Sequence, residues 1–451
     1  MEKTLPISKQ PAQPAGLASA SEESTYRKVT VRLVPFLFLC YVAAYLDRVN
    51  VGFAKLGMLA DLQFSETVYG LGAGIFFIGY FIFEIPSNLI LHRVGARMWI
   101  ARIMISWGVI SSAMMFVQTP TQFYIARFLL GVSEAGFFPG IILYLTYWYP
   151  AARRGQIISM FMTAVAVAGI IGSPLSGWIL QTMGGVSGLA AWQWLFLLEG
   201  IPSVLIGIWV IFYLDDSIEK SKWLDAGEKA MLARNVAADN IGKVATSAAE
   251  GLKNPKIWLM ALIYFSFVMG LYGVSFWLPS IIKAMGVKSA LDIGLLTAIP
   301  WIAGAVCMVL VGRRSDRTGE RRWHIIVPAF LGCIGFILSV QLASNTVLAM
   351  ASLTLATAGI LATLPLFWSL PTALLGGSSG HRAHQLLRQP GGLCQPLHDR
   401  LDQGHDEEHR QRHVHAGRRN ADRWFAGLVW RVRARGRKKI ARAFSPCVEP
   451  A

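Results

Sequence analysis

Ten apolar runs, each near the length that crosses a bilayer, set the outer limit on what this chain can fold into. They lie at roughly 33–55, 69–91, 98–118, 121–146, 157–181, 192–214, 256–284, 291–312, 324–344 and 347–371. About 20 apolar residues in a helix span the hydrocarbon core. Lipid offers no partner for backbone N–H and C=O groups, so such runs must become helices. Charged residues make up only 15% of the sequence, and mean hydropathy is +0.47; a soluble domain carries about 25% charged residues. An all-α polytopic membrane protein follows. The five cysteines (Cys40, Cys307, Cys333, Cys394, Cys447) show neither metal nor disulfide spacing.

The connections alternate in charge. Arg27, Lys28 and Arg32 precede the first run. Arg93, Arg97 and Arg102 surround the second connection, Arg153 and Arg154 the fourth, and Arg313, Arg314, Arg317, Arg321 and Arg322 the eighth. The third (VQTPTQ) and fifth (QTMGGVSGLA) carry none. The excess of Lys and Arg on one side places the N-terminus in the cytoplasm. Residues 1–30 read as a polar cytoplasmic tail without a cleavable signal peptide, and 31–214 as a six-helix bundle. A polar linker follows at 215–255, with a short surface helix at 221–235, then four helices at 256–377 and a basic, His-rich tail at 378–451. An internal repeat supports two related halves. NLILHRVGARMW (88–99) and VGRRSDRTGERRW (311–323) are both short, basic and Gly-containing, and each follows the second helix of its half.

These motifs carry a family resemblance. Gly312, Asp316, Arg317, Gly319 and Arg321 resemble the G-x-x-x-D-R-x-G-x-R loop of the major facilitator superfamily. The first copy departs from it, with Asn88 at the usual Gly and His92 at the usual Asp. YLDRVNVGFA (45–54), EIPSNLILHRVGARMWIARI (84–103), RFLLGVSEAGFFPGIILYLTYWYP (127–150) and FWSLPTALLGG (367–377) resemble the anion:cation symporter family within it. Its bacterial members carry tartrate, phthalate, galactonate, hexuronates or aromatic acids. The resemblance covers about 26–377 and implies the major facilitator fold, two six-helix bundles around a central site. Here the second bundle is incomplete, with about ten helices in place of twelve.

After Gly377 the chain changes character. Residues 381–451 hold seven of the nine histidines and 15 Lys+Arg against seven Asp+Glu, and no apolar run there reaches membrane length. A frameshift accounts for this. Codons for 380–408 exist whose reading one base later gives G-I-A-L-I-N-S-F-G-N-L-G-G-F, close to the family's eleventh helix; Gln385 before Leu386 must then yield Asn or Ser. The alternative is a genuine basic tail that binds anionic lipid or nucleic acid. The shifted frame explains the histidines without a metal or a nucleic-acid partner.

Four charges lie at membrane depth in the first half: Asp47, Arg48, Arg127 and Glu134. A charge at the centre of a membrane helix costs about 2.5–3.5 kcal/mol even on the lenient insertion scale, so each needs a partner or a ligand. Arg127 and Glu134, seven apart, share one helix face. Arginine offers a planar fork to a carboxylate, and carboxylates can take up and release protons. Arg48 and Arg127 are therefore candidates for the substrate carboxylate, and Asp47 and Glu134 for proton coupling, in agreement with what the resemblance implies. Structural salt bridges between the first and fourth helices are the competing reading. For Arg127, near the start of its helix, a snorkelling interfacial position is another. Tyr45 and Tyr80, and less so Tyr41, could line the cavity. Trp368, Ser369 and Thr372 flank Pro371, where the resemblance implies a cavity-lining patch and the sequence alone a helix kink. Arg93, Gly95, Arg97, Gly312, Asp316 and Arg317 form a gating loop in each half, with anionic-lipid binding as the alternative.

No phosphate-cradling loop, H-E-x-x-H or nucleophile constellation points to an enzyme, and no cofactor is expected. The expected function is a proton-coupled symporter of a small organic acid such as tartrate. It is expected to be monomeric and multi-pass, in contact with membrane lipids of the bacterial inner membrane. Two alternatives stand beside it: a truncated, non-transporting product, and a membrane sensor of an organic acid.

Overall fold

The computed structural model describes residues 15–240 and 255–368. Ser369, Pro371, Thr372 and the 378–451 tail lie outside them. The described residues form twelve α-helices and no strand: α1 (Ala15–Leu62), α2 (Glu66–Val94), α3 (Ala96–Ala113), α4 (Pro120–Glu134), α5 (Phe137–Thr146), α6 (Ala151–Thr182), α7 (Ala191–Tyr213), α8 (Ala226–Asn240), α9 (Pro255–Ala284), α10 (Ala290–Thr318), α11 (Arg322–Gln341) and α12 (Thr346–Phe367). Ten spans are long and apolar enough to cross a membrane; α4 and α5 together make the fourth. The surface helix expected at 221–235 is α8, set slightly later.

Helix starts follow local chemistry. The Thr119 hydroxyl accepts from the Gln122 amide and the Gln122 side chain reaches back, with Pro120 at the first helical position, a capping box. Asn345 caps α12 and Ser289 caps α10 through side-chain oxygens. The fourth apolar run contains a break that hydropathy does not show. Gly136 adopts a left-handed φ of 84°, and a β-carbon there would lie 2.4 Å from the Ser87 hydroxyl oxygen. Pro139 follows in the first turn of α5 and has no N–H to return to the Ala135 carbonyl. One span thus becomes two helices, and Glu134 stands at the break.

In the first half α3 packs on α7, α2 on α4, and α1 against α6 and α7; in the second, α12 packs on α10 and α11. The halves meet along α6–α10 and α1–α9. The first contact depends on glycine: a β-carbon at Gly294 would stand 2.4 Å from the Ser173 carbonyl oxygen. Hydrogen bonds between the halves include Tyr45–Ser275 at 2.8 Å, Tyr69 hydroxyl to the Phe276 carbonyl at 3.0 Å, and Lys283 Nζ to the Leu56 carbonyl at 2.8 Å. The Ala290 amide adds a bond to Gln181 at 3.0 Å. These run from the middle of α1 to the end remote from the α2–α3 turn.

Helix α1 begins at Ala15, inside the segment read as a tail. The extension is docked: Tyr26 is 2% exposed and stacks on Tyr149, Arg153 bonds Glu23 at 2.8 Å, and Lys28 bonds Glu228 of α8 at 2.8 Å.

Candidate functional site

All four membrane-depth charges named from the sequence are buried: Asp47 at 1%, Arg48 at 6%, Arg127 at 0% and Glu134 at 2% exposure. The structure sorts them into two environments. Arg48 forms a salt bridge with Glu134 and donates to the Tyr272 hydroxyl of α9. The rings of Phe76, Tyr80 and Tyr272 stand 5.8, 5.7 and 5.8 Å from its guanidinium carbon, within cation–π range.

Arg127 is placed differently. Its Nε donates to the Gly72 carbonyl at 3.3 Å, while both terminal nitrogens are buried without a hydrogen-bond partner. Its guanidinium carbon lies 4.9 Å from the Phe76 ring centre. One aromatic ring therefore lies within cation–π range of two cations, one paired and one with its fork unused. A buried, unsatisfied guanidinium is costly, and a carboxylate is the group whose geometry matches it. The snorkelling alternative for Arg127 does not hold, since a fully buried side chain does not reach an interface.

Asp47 is not paired with an arginine. It accepts hydrogen bonds from Trp107 Nε1 at 3.0 Å, the Ser111 hydroxyl at 2.8 Å and the Ser203 hydroxyl. Its contacts lie in α3 and α7, inside the first half. Of the aromatic candidates, Tyr45 is buried and bonds Ser275, Tyr80 is half-buried beside Arg48, and Tyr41 stacks on Phe161. Trp368 packs on Phe138 at the α4–α5 break, its ring centre 5.5 Å away, and its indole N–H has no partner. Thr372 lies outside the described residues.

The two basic loops are tighter than the sequence suggests. The first is a one-residue turn at Gly95, with φ of 96°. Arg93 lies in the last turn of α2 and Arg97 in the first turn of α3; the Arg97 amide donates to Asp216 at 3.1 Å, which ties the turn to the segment after α7. In the second, Gly312, Asp316 and Arg317 all lie within α10, and the turn glycine is Gly319. Gly312 has open space around its Cα, so no turn requires it. Asp316 bonds Arg321 at 2.5 Å. Against the cost of desolvation, the Trp323 amide and His324 hold the Glu320 carboxyl below its usual range.

Sequence reading missed Tyr272 and Ser275, which bring the second half to the site. A tyrosine in an apolar run carries no signal that separates contact from packing. It also missed Glu199, a further buried carboxyl in α7 at 3% exposure; the rule that singled out Asp47 would have found it. Among the described residues no His, Cys, Asp and Glu cluster could hold a metal.

Comparison with known proteins bears on this geometry. The profile described as Major Facilitator Superfamily matches residues 37–384. The chain is 52% identical over 359 residues to "Putative metabolite transport protein NicT" of Pseudomonas putida, covering 79% of this chain and 82% of that protein. It is 47% identical over 374 residues to a "Putative tartrate transporter" of Agrobacterium vitis, covering 82% and 83%. Among solved structures, a bacterial homologue of the human lysosomal transporter Spinster, inward-facing and occupied, superposes with a TM-score of 0.60 at 17% identity. It covers 79% of this chain and 77% of that one. The Escherichia coli xylose transporter XylE, in a partially occluded inward-open form, gives a TM-score of 0.57 at 16% identity over 80% and 87%. At these identities the structures speak for the fold alone.

Proposed function

The chain belongs to the Major Facilitator Superfamily, a family of membrane transporters and not of enzymes, and from that membership we propose that it is a proton-coupled symporter of a small organic acid anion, tartrate foremost. The single observation that carries the reading is the unused fork of Arg127 beside the Arg48–Glu134 pair. One substrate carboxylate would take the two free nitrogens of Arg127 in bidentate fashion. A second carboxylate needs Arg48, which Glu134 occupies. A proton on the Glu134 carboxylate removes its negative charge and frees Arg48 for the substrate. Proton and anion then enter together, and the hydroxyl of Tyr272 carries the change to the second half. The tartrate assignment is supported by the name of the Agrobacterium relative. We place the protein in a bacterial inner membrane, N-terminus in the cytoplasm, on the distribution of Lys and Arg.

The test is uptake of labelled tartrate by whole cells. Accumulation is expected to fail when the proton gradient is collapsed, and Glu134→Gln should keep exchange of internal for external tartrate while losing gradient-driven accumulation. Accumulation that survives collapse of the gradient would remove proton coupling.

A second reading rests on a different observation. The family match ends at 384, where the charge profile changes, and α9 is largely uncovered, with only 11% of its most apolar stretch buried. On this alternative, we propose instead that the chain as written is the product of a frameshifted gene and does not complete a transport cycle, so that the uptake described above requires the frame-restored gene. Sequencing across codons 377–386 tests it: a gene in which no single-base shift opens an apolar frame would sink the idea.

A further inference from the structure

Apart from the Arg48 and Arg127 site, a second carboxyl group is buried in the first half with no role in the cycle above. Glu199 of α7 is 3% exposed. Its Oε1 accepts a hydrogen bond from the Ser176 hydroxyl of α6 at 2.6 Å, and its Oε2 has no partner. Asn50 of α1 stands beside it, at the margin of hydrogen-bond range. Of the elements packed on α7, α1 presents Asp47 and Asn50, α6 presents Ser176, and α3 presents Gly108 and Ser112 near Gly200. Asp47 is the one charged group among them that acts on Glu199, and its charge is of the same sign.

Asp47 and Glu199 differ in what surrounds them. Asp47 takes three donors, the pattern an acceptor-only ionised carboxylate needs. Glu199 takes one donor and no cation, and an unpaired charge there is far less favourable than the neutral acid. A protonated Glu199 needs one acceptor for its O–H, and the free carboxamide of Asn50 is the group at hand. Ser203 lies four residues after Glu199, on the same face of α7, and donates to Asp47. On the other side, Ser176 lines a cavity of about 20 Å³ between the halves, with Ser173, Ser275, Thr297 and Trp301. That is room for about one water molecule.

We propose that Glu199 is a proton-holding residue, linked to water between the halves through Ser176. The transfer balances. Hydronium in the cavity gives its proton to the Ser176 oxygen as the Ser176 hydrogen passes to an ionised Glu199, leaving a water behind and the neutral acid on α7. The reverse sequence returns the proton to the water. The use of this relay in transport rests on the proton-coupled reading; the protonation of Glu199 does not.

Infrared spectroscopy of the full-length chain in lipid vesicles at neutral pH tests the two apart. A carbonyl band of a protonated carboxylic acid is expected in the unmodified chain, retained in Glu134→Gln and lost in Glu199→Gln. Ser176→Ala should shift the same band, because it removes the hydrogen bond to that carboxyl group. A band unchanged by Glu199→Gln, in a chain of normal helix content, overturns the proposal. If Glu199→Gln does not fold, Ser176→Ala decides: a shift supports the proposal and its absence overturns it. Failure of tartrate uptake leaves these outcomes untouched, so the two readings fall separately.

Discussion

The first helix of each half occupies an equivalent place in the repeat, yet the two are covered very differently. In α1, 61% of the most apolar stretch is buried, against 11% in α9. Helix α1 is wrapped by α6 and α7, the fifth and sixth spans of its half, whereas α9 meets α1, α10 and α12, with no fifth and sixth spans of its own among the described residues. Trp258, Leu262 and Phe265 are each about 60% exposed. Apolar exposure alone is ordinary for a helix in lipid; the inequality between two equivalent helices is the informative part. The first half is a complete bundle and can bury Asp47, Arg48, Arg127, Glu134 and Glu199. The second half adds hydroxyls, from Tyr272 and Ser275, and among the described residues no further span closes around α9.

The largest expected effect comes from supplying the missing cover. A gene restored in frame after codon 377 should give tartrate uptake where the chain as written gives none; equal uptake by both would erase the functional meaning of the comparison. Next is the buried pair. Arg48→Ala leaves Glu134 buried without its cation, which should cost about 3–5 kcal/mol, read as a fall in the melting temperature of the purified protein in detergent. A third contrast sets one glycine against another. A β-carbon at Gly131 would lie 2.0 Å from the Phe76 carbonyl oxygen, where α4 crosses α2, while at Gly312 it would meet nothing within 4 Å. Gly131→Ala should therefore destabilise by about 1–3 kcal/mol, and Gly312→Ala should stabilise by up to about 1 kcal/mol. Opposite signs in a chemical melt would confirm that the α2–α4 crossing is closely packed at Gly131 and that Gly312 is not. The smallest effect is Phe265→Ala, expected within about 0.5 kcal/mol in the chain as written. In the frame-restored chain a larger loss should appear, and equal losses in both would show that the restored helices do not cover α9.

Much of this was legible in the sequence. Apolar run length gave the ten spans, because a bilayer has one thickness and a buried backbone has one local solution. The cost of charge in lipid flagged Asp47, Arg48, Arg127 and Glu134. The break at Gly136 was written in the αL-prone glycine and Pro139, but hydropathy cannot see it. Partner choice was not legible. Asp47 and Arg48 are neighbours in the chain, and the sequence assigns one to protons and the other to the substrate without saying which groups each meets. Successive residues on a helix point about 100° apart, so adjacent side chains do not face each other. Asp47 turns into the first bundle, towards Trp107, Ser111 and Ser203, and Arg48 turns to Glu134 and the second half. The sequence determined that both charges must be answered, because lipid cannot solvate them. Only the packing of α1 against α3, α7, α4 and α9 decided which groups answer, because hydrogen bonds and ion pairs act over a few ångströms and those groups are brought near by the fold alone.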